Sequence, residues 1–286
     1  MSHYRKTYFF RLMSTIAKLV LLAGLSTTFA FSAELSTKDI KKADQSIETA
    51  KLGLDSNSDV NSDSWNFLKP YVANYSFLLD DDKLGHSIRT FSCDKRQWEL
   101  DTNTLAKKFI INLKSKENSK FHIKDGLLIN DRFVSYSKRT FKKAKNTKQM
   151  FDWNSKLETG SRNKKKWEIP IESQVFDRVS HLIQLQADLL DGKTFFNYPV
   201  SHKGKIHDYL YRFAKTEVIT TKMGNLEAQK YVRMKSNGAT FIVWFSPELE
   251  YFPIKISQSK KDSPVVTLLL ESIEYSKLPE NMATDS

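Results

Sequence analysis

The chain has 286 residues, which is enough for one large β domain or two small ones. Its hydrophobic content of 40%, with 12% aromatic residues, supplies a sizeable core and excludes a mainly disordered chain. The net charge is +12 at pH 7, and the single cysteine, Cys93, excludes an internal disulfide.

Residues 1–33 have the three-part form of a secretory signal peptide. Basic residues come first, an apolar stretch begins at Leu19, and cleavage fits best after Ala30 or Ser32. The apolar core is short of the roughly 20 residues that a transmembrane helix needs, so an uncleaved membrane anchor is the less favoured alternative. Removal of the segment leaves 41 basic against 33 acidic residues. That excess of basic residues is smaller than is typical of a dedicated nucleic-acid binder. Cys93 lies too far from the cleavage site to be the lipid-bearing N-terminal cysteine of a lipoprotein.

Residues 34–64 are predicted to form a helical arm and a flexible polar linker. Apolar residues recur at helical spacing over residues 36–54, and a tract of Asp, Asn and Ser follows. From Asp55 this tract resembles a calcium loop. However, Val60 stands where the sharp turn needs Gly, and Asn66 stands where a bidentate Glu belongs. The linker is therefore favoured over a calcium site.

A single β-rich domain is predicted over residues 65–278, followed by a polar tail at 279–286. Short β-like runs alternate with turn signals such as Asp125-Gly126, which favours an antiparallel sheet over βαβ units. The predicted strands are Tyr71–Leu79, Leu84–Thr90, Arg96–Asp101, Lys107–Ser115, Lys120–Lys124, Leu127–Asn130, Thr194–His202, Lys205–Thr220, Leu226–Lys235, Ala239–Phe245, Phe252–Gln258 and Pro264–Tyr275.

One segment breaks the β pattern. Ser173 is placed to cap a helix whose apolar residues follow a 3.6-residue period as far as Leu190, and Gly192 is placed to close it. One face of this amphipathic helix is expected to pack against the sheet.

Two basic clusters, at residues 138–148 and 162–167, interrupt the body of the chain. One interpretation is a patch for anionic partners such as phosphorylated glycolipids or polyanionic glycans. The other, which is the commoner arrangement, is a pair of solvated loops or edge segments in which Lys discourages aggregation.

The residues supply no catalytic motif. Asp177, Ser180 and His181 invite comparison with a triad, but adjacent helical positions diverge by about 100°, so Ser180 does not face His181. His202 and His207 flank a predicted hairpin turn, so among the histidines they are the best candidates for metal ligands, although histidines on the solvent face of a hairpin are far commoner. We predict no catalytic residues, no metal site and no cofactor.

The stretch 244–256 is the most distinctive part of the chain. Pro247 lacks an amide N–H and suits a strand end, while Pro253 suits an edge or a first strand position. Between the prolines, acidic residues alternate with Leu249 and Tyr251. This pattern predicts a tight corner with one buried side.

Several stretches resemble the bacterial family called domain of unknown function 3108. The most specific is the corner itself, which reads Trp-Phe-x-Pro-x-Leu-x-Tyr-x-Pro, and the resemblance spans about residues 66–278. The chain departs from the family pattern in two respects. A polar residue, His86, lies in a strand that is usually less polar, and the two basic clusters are specific to this chain. The other matching stretches are Asp177–Leu185, Thr220–Gly224, Tyr71–Tyr75, Leu84-Gly85 and Phe151–Trp153.

The resemblance implies an exported envelope protein of Gram-negative bacteria, periplasmic or associated with the outer membrane. It implies a mainly β fold, in which a strongly curved antiparallel sheet, similar to the half-barrels of lipoprotein carriers, packs on the amphipathic helix. It carries over no catalytic residues.

Two functions follow as hypotheses. The first is a non-enzymatic binding or scaffold protein for a lipid, a glycolipid or an anionic envelope polymer, with Asp177, His181, Trp244 and Tyr251 as weak ligand-binding candidates. The 35 aromatic residues either line an apolar concavity for such a ligand or fill the sheet interior. The alternative is an envelope hydrolase that acts on glycan or peptide through Asp177 or His181. Export argues against nucleic-acid binding.

Overall fold

The computed structural model describes residues 65–108, 110–234, 239–260 and 262–277. The predicted signal segment, the arm and linker, and the polar tail lie outside the described residues.

The described chain consists of antiparallel strands and one α-helix, which lies between the eighth and ninth strands. The strands are β1 (Tyr71–Leu79), β2 (Asp82–Asp94), β3 (Gln97–Lys108), β4 (Ile111–Lys124), β5 (Leu127–Arg139), β6 (Lys145–Asp152), β7 (Leu157–Arg162), β8 (Lys165–Pro170), β9 (Phe196–Ser201), β10 (Ile206–Thr221), β11 (Gly224–Met234), β12 (Thr240–Ser246), β13 (Phe252–Ser259) and β14 (Val266–Tyr275). The helix, α1, is Ser180–Leu190. No helix among the described residues is long and apolar enough to cross a membrane.

All fourteen strands belong to one sheet, in the order β8-β7-β6-β5-β4-β3-β2-β1-β14-β13-β12-β11-β10-β9. The first strand pairs with both β2 and the last strand, so two meandering arms extend from the centre of the sheet. Tyr75 lies opposite Ser87 on one side and Leu270 on the other, and all three point to the concave face. The predicted antiparallel half-barrel is confirmed as a curled sheet that its backbone hydrogen bonds do not close.

The helix packs in the concavity of this sheet, and its residues Ser180–Leu189 are buried. Large aromatic side chains of both arms, such as Phe121, Phe133 and Phe245, fill the space around it and are fully buried. The polar groups of the helix form hydrogen bonds to the sheet, for example from Gln186 Nε2 to the Glu250 carbonyl oxygen at 2.8 Å. The half of the concavity that holds the helix is therefore a packed core.

Some predicted elements are wrong, since Lys120–Lys124 is the end of β4 and not a separate strand, and the strands β6–β8 were not predicted. The run Lys107–Ser115 is not one strand, because β3 ends at Lys108 and β4 begins at Ile111. Ser173 does not cap the helix either, because Phe176 first makes a parallel bridge with Val200 and the helix begins only at Ser180.

The corner between β12 and β13 is confirmed as a tight connection. A single 3₁₀ turn, Pro247–Leu249, follows β12, and both Glu250 and Tyr251 then adopt positive φ angles of 52° and 53°. Such angles are strained for residues other than Gly. The corner is fixed by Gln186 of the helix and by Lys69, whose Nζ lies 3.0 Å from a Glu250 carboxylate oxygen.

Among the described residues, side chains join β6 and β8 at one end of the sheet to β9 and the β9–β10 turn at the other end. Gln149 of β6 donates to the Ser201 hydroxyl of β9 at 3.0 Å. The Trp167 ring of β8 packs on Gly204, in the β9–β10 turn, so closely that a Cβ at Gly204 would lie 2.7 Å from Trp167 Cγ. We call this line of contact between β6–β8 and the start of the β9–β10 hairpin the seam.

Two glycines allow the seam contact to be tested with a matched control. Gly192 and Gly204 have similar φ angles, +70° and +74°, but an added Cβ meets nothing within 4 Å at Gly192. Gly192→Ala should cost about 1 kcal/mol of unfolding free energy from the strained φ alone. Gly204→Ala should cost about 2–3 kcal/mol because the Trp167 ring must also move. Urea unfolding of both variants measures the difference, and equal losses would contradict a close seam.

Candidate functional site

The N-terminus of the helix is fixed to the sheet by Asp177, which is fully buried. Its Oδ1 accepts hydrogen bonds from the backbone N–H groups of Val179 at 2.7 Å and Ser180 at 2.9 Å. Its Oδ2 accepts from the Ser119 hydroxyl and, at 3.1 Å, from Asn130 Nδ2. Asp177 thus caps the helix and ties it to β4 and β5. Burial raises the pKa of this carboxyl to about 6.

His181, on the first turn of the helix, is also buried. Its Nε2 lies 2.9 Å from the Tyr211 hydroxyl, and its Nδ1 lies 3.2 Å from the backbone carbonyl oxygen of Asp177. The carboxylate of Asp177 therefore does not orient His181 as a catalytic dyad requires. This geometry is that of two residues that fix the helix in the sheet.

Trp244 and Tyr251 lie away from the concave face. The Trp244 ring is on the convex side, covered by Lys230 and Lys255, whose Nζ atoms lie 5.1 and 4.7 Å from its centroid. Its Nε1 donates to Glu217 at 2.7 Å. Tyr251 is a half-buried part of the corner. The structure thus does not bring Trp244 and Tyr251 together with Asp177 and His181.

The concave face changes character beyond the N-terminus of the helix. On β5, the buried Phe133 is followed at alternate positions by Ser135, Ser137 and Arg139. Lys145 of β6 lies opposite Ser137 in the sheet register, and that alternation places it on the same face. The inner surface is therefore apolar around the helix, and polar and basic at the open end of the sheet.

Basic side chains from five parts of the chain converge there, namely β5, β6, β7, the segment before the helix and the β9–β10 turn. Arg162 of β7 lies opposite Thr147, which faces Ser135 in the register, so the concave face also carries Arg162. Arg178 precedes the helix, and the seam brings the β9–β10 turn to the same place. We name this set the seam cluster; its members are Arg139, Lys145, Arg162, Arg178, His202 and Lys203.

The members of the seam cluster disfavour each other's protonation. Burial and the neighbouring cations Arg178, Lys203 and Arg162 lower the pKa of His202 to about 3, so His202 is neutral at pH 7. Burial, and then Arg162 and Arg178, lower the pKa of Lys203. Burial, and then Arg162 and Arg139, lower that of Lys145. Like charges are therefore held together at the cost of folding free energy.

Little negative charge offsets them. Among the described members, Arg178 has a carboxylate oxygen within 4.0 Å, that of Glu117 at 3.5 Å from its Nη2. The buried carboxylate of Glu158 also lies at the seam, where it accepts hydrogen bonds from Gln149 and Trp167. Arg139, Lys145, Arg162 and Lys203 have no carboxylate oxygen within 4.0 Å in the described part of the chain. Guanidinium, ammonium and serine hydroxyl donors on one concave surface form the set that binds phosphate and carboxylate groups.

His202 and His207 do not form a metal site with other ligands. In the parts of the chain that the structure describes, no group of three or more His, Cys, Asp or Glu side chains is placed to hold a metal ion.

A groove of about 950 Å³ lies on the opposite, convex face. Outward residues of β4–β7, including Leu127 and Met150, line it together with Trp153, and its charged residues carry both signs, as at Lys124 and Asp131. This mixed surface selects no class of ligand as clearly as the seam cluster does.

The sequence was compared with family models, curated proteins and solved structures. The model of the family described as "Protein of unknown function (DUF3108)" matches residues 86–270. The chain belongs to this family. No curated protein matches the sequence of this DUF3108 member.

Two solved structures match the chain over most of its length. One is a β-barrel-like protein of the domain of unknown function DUF1849 from Brucella abortus, with 8% identity and a TM-score of 0.49; the match covers 73% of this chain and 99% of that one. The other is a candidate lipoprotein from Parabacteroides distasonis, with 11% identity and a TM-score of 0.30; the match covers 72% of this chain and 96% of that one. Both scores are too low to transfer any property.

In this DUF3108 protein the basic stretches noted in the sequence divide between the two faces. Arg139, Lys145 and Arg162 belong to the concave face, whereas Lys148 and Lys166 lie on the other face of the same strands. Sequence reasoning missed the cluster because Arg178, His202 and Lys203 join it only through the fold. The alternation of side chains along β5 and β6 could have shown that Arg139 and Lys145 point to the concave face.

Proposed function

We propose that this protein is a non-enzymatic binding protein of the cell envelope, and that its seam cluster holds the anionic headgroup of a lipid or glycolipid. The observation that carries the proposal is the convergence of mutually repelling cations on a concave surface, where Glu117 is the described carboxylate within 4.0 Å of a member. An anionic headgroup would offset their repulsion and satisfy the donors of Arg139 and Arg162.

The packing of the helix supports recognition of a headgroup over enclosure of acyl chains. The aromatic side chains around the helix, such as Phe121 and Phe245, are fully buried in the core. The polar and basic end of the concave face, by contrast, retains partly exposed side chains such as Arg162 and Lys203. A headgroup could bind at this open end while its acyl chains stay in the membrane.

Sedimentation with vesicles tests the proposal. Native protein should bind phosphatidylcholine vesicles that contain phosphatidylglycerol, and should not bind phosphatidylcholine alone. The double variant Arg162→Gln/Lys203→Gln should bind about tenfold more weakly or worse, because each charge-assisted hydrogen bond is worth about 1.5–3 kcal/mol.

The matched control is Lys148→Gln/Lys166→Gln, which removes the same charge from the outer face of the neighbouring strands. It should retain near-native binding. An equal loss in both double variants would show that general surface charge attracts the vesicle, and would contradict a site at the seam. Competition by free orthophosphate is expected, whereas an anionic polymer that competes far better than phosphate would favour a glycan as the ligand.

A further inference from the structure

Arg233 lies near the end of β11, opposite Phe241 of β12. It follows Tyr231 at the alternate position, so it points to the same concave face, and it is only 5% exposed. The guanidinium group is therefore inside the curled sheet, at the end of the strands from which the β9–β10 turn also extends.

Aromatic rings surround this guanidinium group. Its central carbon lies 3.5 Å from the Tyr209 ring centroid, 4.8 Å from that of Phe241 and 5.6 Å from that of Tyr211. Cation–π attraction of this kind stabilises the charge without using the N–H donors in the guanidinium plane.

Two of the three guanidinium nitrogens lack partners in the part of the chain that the structure describes. Both Nε and Nη1 of Arg233 are buried, and no hydrogen-bond acceptor among the described residues meets them. The neighbouring polar groups do have partners, as in the pair of His181 Nε2 and the Tyr211 hydroxyl at 2.9 Å. A buried donor without an acceptor lowers stability, so an unpaired guanidinium amid paired neighbours points to an acceptor supplied by a ligand.

The position of Arg233 relates it to the seam cluster. His181 contacts Tyr211 and the Tyr209 ring on one side of the helix, while Arg178, three residues earlier, contacts Glu117 on the other side. Tyr209 and Phe241 are only partly buried, so the aromatic enclosure extends to the surface of the molecule. Arg233 and the seam cluster thus flank the N-terminus of the helix on one concave face.

We propose that Arg233 is a second anion-binding point, and that the ligand carries two anionic oxygen groups, one at the seam cluster and one at Arg233. This inference rests on the proposed function and deepens it, because it selects ligands such as bisphosphorylated headgroups over those with a single phosphate. The flat guanidinium edge fits a phosphate or carboxylate group through two parallel N–H···O bonds.

Calorimetric titration with pyrophosphate tests the seam cluster and Arg233 as anion-binding points. Because pyrophosphate is small, each of the two points should bind its own ion. Native protein should bind two pyrophosphate ions. Arg233→Met should bind one, and Arg162→Gln/Lys203→Gln should bind one. Arg212→Met, which removes an exposed arginine from the outer face of β10, should still bind two.

The outcomes separate the two proposals. If Arg233→Met leaves the stoichiometry unchanged while the seam variant loses an ion, Arg233 is not a binding point and the seam proposal stands. If no variant changes the titration, both proposals fail. Thermal unfolding without ligand adds a second readout: Arg233→Met should be at least as stable as the native protein. A large loss of stability with two ions still bound would make Arg233 a purely structural residue.

Discussion

Asp177→Ala is expected to lower the free energy of unfolding by about 3 kcal/mol or more. The change removes the cap of the helix, which is worth roughly 0.5–2 kcal/mol. It also leaves the Ser119 hydroxyl and Asn130 Nδ2 buried without their acceptor, at about 1–3 kcal/mol for each group. Urea unfolding monitored by far-UV circular dichroism measures the loss. A loss below about 1 kcal/mol would show that the helix is held by packing alone.

Asp177→Asn is the matched control, and it should cost less than about 1 kcal/mol at pH 7. The Asn oxygen can still accept from Val179 and Ser180, and a rotated Asn130 amide would turn its unpaired Oδ1 toward the new NH₂ group. The same variant tests the hydrolase alternative. Loss of a glycan- or peptide-cleaving activity with stability retained would give Asp177 a catalytic role.

The pH dependence of stability should change sign between two variants. Asp177 has a folded pKa of about 6 against 3.8 when unfolded, so the folded state binds the proton more tightly. Its contribution therefore lowers stability as pH rises from about 4 to 6, by roughly 3 kcal/mol in total. His202 has a folded pKa of about 3 against 6.5, so its contribution is present above pH 6.5 and is lost as pH falls toward 3.

His202→Gln should therefore remove an acid destabilisation on the order of 3–5 kcal/mol between about pH 6.5 and 3. Between about pH 4.5 and 6, above the range in which Glu271 titrates, the stability of that variant should fall with rising pH because the Asp177 contribution remains, whereas the stability of Asp177→Asn should rise. His86→Gln, at an exposed position of β2, is the control for replacing a histidine by glutamine. Unfolding free energies across this pH range decide the point. Parallel curves for His202→Gln and the native protein would show that His202 is not held neutral by its neighbours.

Most strands outside β6–β8 could be predicted because each carries its own signal, whereas β6–β8, in the region of the basic clusters, were not predicted. The corner between β12 and β13 is an example, since Pro247 and Pro253 fix where one strand ends and the next begins. The break between β3, which ends at Lys108, and β4, which begins at Ile111, could not be predicted in this way. The sequence between these two residues contains no Gly, Pro or Asn to mark a turn.

The start of the helix was missed because two caps competed. Ser173 is a good cap residue by type, but Phe176 is used to pair with Val200, and only then does Asp177 reach the free N–H groups of the first turn. A long-range strand contact thus overrides a local preference. The same limit applies to the seam cluster, since sequence neighbours such as Lys145 and Lys148 separate to opposite faces while Lys203 arrives from a distant hairpin.

The central claim is that anions bind at the concave end of the sheet, through its arginines. Nuclear magnetic resonance of the arginine Nε–H groups during titration with orthophosphate tests it directly, because each side chain reports separately. The signals of Arg139, Arg162 and Arg178 should shift together and saturate, while that of Arg212 on the outer face should stay unchanged. Uniform small shifts at all arginines, or shifts confined to the outer face, would contradict it.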